Sequence, residues 1–192
     1  MAVPRILAFA GSTRSGSYNK QLVQAAANAA KHAGAEVTVV DLKDFDLPLF
    51  DEDLEATGTP AGATRLKQLF LDHDALLIAS PEYNSSISAV LKNAIDWVSR
   101  SAPGEPMKAA FLGKVALLMA ASPGSLGGLR GLVHVRSILQ NISVMVLPSQ
   151  FALGKANEAF DEQGTLINER AIKTVAALAE ELVTTSRKLL AE

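Results

Sequence analysis

The chain of 192 residues contains no cysteine. That excludes disulfides, thiolate metal sites, iron–sulfur clusters and cysteine nucleophiles. Histidine is scarce, and His32, His73 and His134 stand far apart, without metal-ligand spacing. No run approaches the roughly 18–20 consecutive apolar residues that span a bilayer. The N-terminal apolar run stops at Gly11, which does not fit a secretory leader. Neither sign of charge dominates. A net charge of −2 gives no electrostatic reason to expect nucleic acid or an anionic membrane as partner. A cytoplasmic protein is the expectation.

What is present is an ordinary globular composition, 48% apolar and 20% charged, at a length that suits one domain spanning residues 1–192. Short apolar runs at 6–10, 37–40, 75–79, 115–121 and 144–147 alternate with longer helical stretches. Those runs are apolar on both faces, as strands of a helix-covered parallel sheet must be. The spacing predicts helices over 19–33, 63–72, 88–100, 129–141 and 168–190. Strict alternation argues for a three-layer α/β fold with right-handed crossovers. Five strands fit the flavodoxin-like order 2-1-3-4-5, which places a ligand at the C-terminal ends of strands 1 and 3.

The loop after strand 1, residues 11–19, runs Gly-Ser-Thr-Arg-Ser-Gly-Ser-Tyr-Asn into a helix. Backbone N–H groups and the helix dipole favour an anion there. Arg14 adds a planar phosphate donor, and no Asp or Glu occurs before Glu36. The plain alternative is a helix capped by Ser17 or Asn19. A Walker A loop would need Lys where Ser17 stands, and the Gly-x-Gly-x-x-Gly fingerprint is absent. A monophosphate fits better than a pyrophosphate.

The loop after strand 3, residues 80–86, offers backbone polar groups beside the aromatic Tyr83. Such a mix suits a flat ring with a polar edge; a turn with a core tyrosine is the plain alternative. After strand 4, Gly124, Gly127 and Gly128 would let backbone approach a ligand closely; a flexible turn before a helix is the plain alternative. Residues 41–55 hold seven acids and one Lys. They lack the spacing of a calcium loop and are expected to form a solvated acidic loop. His134 is expected to be structural.

Gly11-Ser-x-Arg-x-x-Ser-x-Asn19, Pro81-Glu-Tyr-Asn84 and Leu91-Lys-Asn-Ala-Ile-Asp-Trp97 together resemble the NAD(P)H-dependent FMN reductases, a flavodoxin-like family that includes chromate, quinone and azo reductases. The resemblance implies that Ser12, Arg14, Ser17, Tyr18 and Asn19 hold the FMN phosphate. It implies that Pro81, Glu82, Tyr83 and Asn84 hold the ring and ribityl chain, with Ser122 and Gly124 at the ring's far edge. Many family members carry Pro where this chain has Ser88, a change expected to loosen the start of that helix. The resemblance also implies a homodimer or homotetramer, with residues 47–51 near the subunit contact. Leu91, Ala94, Ile95, Trp97 and Val98 make most of their helix apolar; core packing is the plain reading, and part of that surface is expected to face a second copy.

No nucleophile–base pair is visible, so no catalytic side chain is assigned. That is expected where flavin N5 carries the chemistry. The implied activity passes hydride from NADPH or NADH to FMN, then electrons to a quinone, free flavin or other small acceptor. Backbone N–H groups near residues 82–84 would stabilise charge on the reduced ring. The Glu82 side chain is expected to face solvent rather than act as an acid. A flavodoxin-type electron carrier is the rival reading, though −2 gives little sign of a charged docking face. A phosphate-binding domain without flavin is the third.

Overall fold

The computed structural model describes residues 2–191. Strand β1 (Arg5–Ala10) leads into helix α1 (Tyr18–His32) and strand β2 (Glu36–Asp41). Helices α2 (Glu52–Thr57) and α3 (Ala61–Asp72) precede β3 (Ala75–Ala79). A short hairpin, β4 (Glu82–Tyr83) and β5 (Ser86–Ile87), is followed by α4 (Ala89–Val98) and β6 (Val115–Ala121). Helix α5 (Leu129–Asn141), β7 (Met145–Leu153), α6 (Ala156–Ala159) and α7 (Glu169–Leu189) complete the chain.

Five parallel strands form one sheet in the order β2-β1-β3-β6-β7. That is the expected 2-1-3-4-5 pattern. Side chains alternate across it. Ile6, Ala8 and Ala10 face α1 and α7, whereas Leu7 and Phe9 face α3, α4 and α5. Burying one large apolar side chain contributes roughly 1.5–3 kcal/mol. Two such layers are what hold the helices to the sheet. Helix α1 stops where Gly34, at φ +89°, donates its N–H back to Lys31, as a left-handed C-terminal residue does.

Three local expectations need correction. The last strand runs past Pro148 to Leu153 rather than stopping at 147. Pro is tolerated because β7 is an edge strand and the register shifts beside it. Arg136 steadies that irregularity by donating to the carbonyl of Leu147 at 2.8 Å and to Gln150 Oε1 at 2.9 Å. The acidic segment is not simply a solvated loop. Leu42 and Phe45 are buried in a 3-10 turn, Asp51 caps α2, and Asp41 pairs with Lys20 at 2.5 Å. Finally, Trp97 lies inside the chain, where its Nε1–H donates to the Pro48 carbonyl at 2.8 Å. The apolar face of α4 is internal and Lys92 and Asp96 are paired outside, so core packing accounts for those apolar side chains.

Candidate active site

The cleft opens at the C-terminal ends of β1 and β3. Its volume is about 480 Å³. One wall is Ser12, Thr13 and Arg14, and the other comes from Tyr83, Asn84 and the start of α4. The two loops singled out from sequence therefore meet across one space, because parallel pairing of β1 with β3 brings their ends side by side.

On the first wall, Ser17 is the N-cap residue of α1, yet its side chain makes no capping bond. No acid occupies the first turn of α1. A helix start of that kind leaves N–H groups and partial positive charge available. Arg14 is exposed, and its guanidinium has no partner among the described residues. Asn19 does something different from what the resemblance implied. It is 4% exposed, and its amide both donates to the Ala121 carbonyl (2.9 Å) and accepts from the Ala121 N–H (3.0 Å). It thus ties the start of α1 to the end of β6. The Tyr18 ring stacks on Phe160, centroids 6.1 Å apart, and does not line the cleft.

On the second wall, Asn84 and Ser85 form a two-residue turn with φ of +50° and +64°. Turns with both central residues left-handed match the twist of a tight hairpin. Asn adopts that region more easily than Ser, so the turn holds some strain. The hairpin presents Tyr83, 57% exposed, at the rim of the cleft. Pro81 is buried behind it. A Cβ on Gly11 would come within 3.2 Å of Pro81 and 2.9 Å of Leu91, so only glycine lets β1 leave at that point.

Glu82 does not face solvent, contrary to expectation. Its side chain is 9% exposed and points at the start of α5. There its carboxylate accepts from the Gly131 N–H at 3.0 Å and from Arg130 Nε at 2.8 Å. Burial alone would raise its pKa, but the Gly131 N–H and the Arg130 guanidinium outweigh it and hold Glu82 below the ordinary carboxylate value. His134 adds a second tie from α5, with Nδ1 2.8 Å from Ser86 Oγ. That is the structural role expected of it.

Ser122 and Gly124 are not among the cleft-lining residues. Their carbonyls accept from Ala156 and Lys155, on the β7–α6 side. Gly127 needs its missing side chain for the chain itself rather than for a ligand, since a Cβ there would lie 2.6 Å from the Gly154 nitrogen. Thr13 of the first loop lines the cleft, and Ile87, Ala89 and Val90, which carry no polar signal in the sequence, complete its wall. Ser88 also lines it, and it supplies a helix cap at the place where loss of Pro was expected to loosen α4. Its hydroxyl caps the helix by accepting from the Leu91 N–H at 3.1 Å. A serine directly before an apolar-periodic segment was the signal for that role. Among the described residues no cluster of His, Asp and Glu could hold a metal, and no helix is long and apolar enough to cross a membrane.

The whole chain has close counterparts. It is 37% identical over 186 residues to an NAD(P)H-dependent FMN reductase of Pseudomonas aeruginosa, covering 96% of both chains. It is 34% identical over 169 residues to a quinone reductase of Escherichia coli, covering 86% of each. Among solved structures it resembles FerB, a flavoenzyme NAD(P)H:(acceptor) oxidoreductase from Paracoccus denitrificans, with TM-score 0.82, 27% identity, and 97% and 98% of the two chains covered. A sequence profile described as NADPH-dependent FMN reductase matches residues 4–158. The arginine-bearing loop before α1 and the aromatic hairpin face each other across the cleft, and the chain belongs to the NADPH-dependent FMN reductase family.

Proposed function

We propose that the cleft holds FMN, its phosphate at residues 12–17 and its ring against the β4–β5 hairpin, and that the chain is an NAD(P)H-dependent oxidoreductase. One observation carries this reading. Ser12, Thr13 and Arg14, which lead into the acid-free start of α1, share a single open space with the exposed Tyr83 hairpin. The first is chemistry for a phosphate, the second for a flat ring. When bound, FMN supplies the redox chemistry, taking hydride from a reduced nicotinamide and giving electrons to a quinone or another small acceptor in two half-reactions.

The side chains then have separate duties. Arg14 and Ser12 hold the phosphate, Ser17 lends its hydroxyl, and Asn19 fixes the helix start that aims the N–H groups. Pro81 and the Asn84–Ser85 turn set the backbone of the ring wall. Glu82 holds that wall on α5 and takes no part in proton transfer, because both its oxygens are engaged. The whole chain acts as one unit in the cytoplasm. Assembly into two or four copies belongs to the same reading, supported by exposed Leu49 and by Leu126, Leu129 and Val133 around the start of α5.

Anaerobic mixing of the FMN-loaded protein with NADPH, and separately with NADH, tests the reading. Rapid bleaching of the flavin band, and its return on adding a quinone, is the expected result. Flavin that stays oxidised for many minutes would leave an electron carrier. A desalted protein that retains no flavin colour would remove both.

A further inference from the structure

Ser88 makes two hydrogen bonds with one buried hydroxyl. It accepts from the Leu91 N–H at 3.1 Å, which caps α4, and donates to the Gly11 carbonyl at 2.6 Å. The residue is 6% exposed. Gly11 is the first residue of the anion loop and lies at the top of β1; its own N–H donates to Ala79 at the end of β3. Ser88 directly follows the hairpin that forms the ring wall. Its side chain is therefore a cross-tie between the two loops, made at a position 77 residues from its partner.

Among the described residues no other side-chain hydrogen bond joins residues 11–14 to the hairpin or the start of α4; the Gly11–Ala79 bond joins the strand ends beneath them. Gly11 packs against Leu91 and Pro81, but these are apolar contacts that can slide, whereas a hydrogen bond fixes direction. The side-chain hydrogen bonds of the hairpin run to α5, through Glu82 and Ser86. They fix the ring wall relative to α5 and say nothing of its distance from the anion loop. Proline at this position, as in many members of the resembling family, has neither a hydroxyl to donate nor one to accept.

We propose that Ser88 is a positioning residue that sets the span between the phosphate wall and the ring wall, and so couples the two ends of bound FMN. The inference rests on the reading of this cleft as the FMN site. A ligand that touches both walls gains from the second contact only if the walls are held at the right separation. A ligand that touches one wall gains nothing from that separation. Ser88 then acts on FMN, which spans the cleft, and not on riboflavin, which lacks the phosphate, or on inorganic phosphate, which lacks the ring.

The experiment compares Ser88→Ala, Ser88→Gly and Ser88→Thr with the parent. Glycine removes the hydroxyl at little capping cost, so it serves if the alanine variant folds poorly. Titration with FMN should show an affinity loss of about tenfold in both hydroxyl-free variants, since two bonds are lost and a carbonyl is stranded. Threonine keeps the hydroxyl and should recover most of that loss. Affinities for riboflavin and for inorganic phosphate should each change by less than about twofold, because neither spans the cleft. An equal loss for FMN and riboflavin, or no loss for either, overturns the proposal. If the half-ligands bind too weakly to measure, the contrast between Ala and Thr decides, and equal FMN affinity in the two overturns it. Arg14→Ala is the companion control. Should that change leave FMN affinity intact, the site reading itself fails and the proposal with it. Should Arg14→Ala weaken FMN while Ser88→Ala does not, only the coupling fails.

Discussion

The two ends of the sheet treat polar groups in opposite ways. At the N-terminal end Arg5, His73, Asp74 and Lys114 are all engaged inside the chain. Asp74 accepts from the backbone N–H and guanidinium of Arg5, Lys114 donates to the His73 carbonyl, and His73 reaches Leu69 and Thr38 with its two ring nitrogens. Burial would raise the pKa of Asp74, but the bonds to Arg5 and its charge hold it below the ordinary carboxylate value. At the C-terminal end, the side chains of Thr13, Arg14, Tyr83 and Asn84 are exposed and find no partner among the described residues. Polar groups in folded chains are normally satisfied, by the chain, by water or by a ligand. One end is therefore closed on itself, and the other leaves polar side chains free, as the proposed FMN site requires. The lesson is that the polar residues of this cleft must be sorted by what they already hold. Asn19 and Glu82 sit at the open end but behave like the closed end, with both functions of each side chain committed.

Asn19→Ala strains that sorting most. If Asn19 is a strut, its loss strands the buried N–H and carbonyl of Ala121 and should cost about 2–4 kcal/mol of stability. Urea unfolding of the flavin-free protein measures this. A variant as stable as the parent, with FMN binding lost, would return Asn19 to the ligand side.

Arg14 and Asp74 form a crossed test of the two ends. Arg14→Ala should weaken FMN about 10- to 100-fold, the value of a charge-assisted phosphate contact. Because the side chain is exposed and unpartnered, it should leave unfolding within about 0.5 kcal/mol of the parent. Asp74→Ala should do the reverse, costing about 1–2 kcal/mol while FMN affinity holds. Titration and urea unfolding on both variants read the cross, and matching losses in both would erase the distinction between the ends.

The smallest effect concerns Glu82. Its folded pKa is depressed, so the stability it contributes is full above the ordinary value of 4.5 and drains away as pH falls through the lower folded value. Arg130 is largely exposed, so solvent screens the pair and Glu82→Gln should cost less than about 1 kcal/mol at neutral pH. The gap between parent and variant should close as pH drops below 4.5. A gap that is constant with pH would mean the carboxylate charge is not what docks the hairpin.

Much of this was legible from local pattern. The double-sided apolar runs read directly as β1, β3 and β6, and the periodic segments as α1, α5 and α7. The anion loop was legible because its parts are adjacent: glycine, hydroxyls, an arginine and a helix start within nine residues. The hairpin was not, since Asn84 and Ser85 lack the glycine that announces a left-handed turn. Nor was the extension of β7 past Pro148, where edge position overrides the usual meaning of proline.

The sequence by itself therefore determined the layers, the strand order and a glycine-, hydroxyl- and arginine-bearing loop before α1, because periodicity and helix-end chemistry act over a few residues. Only the tertiary structure decided which polar side chains are free to meet a ligand. Asn19 finds Ala121 at a separation of 102 residues, Glu82 finds Gly131 at 49, and Ser88 finds Gly11 at 77. Hydrogen bonds of that range are set by how strands and helices pack, and nothing in the local chain announces the partner.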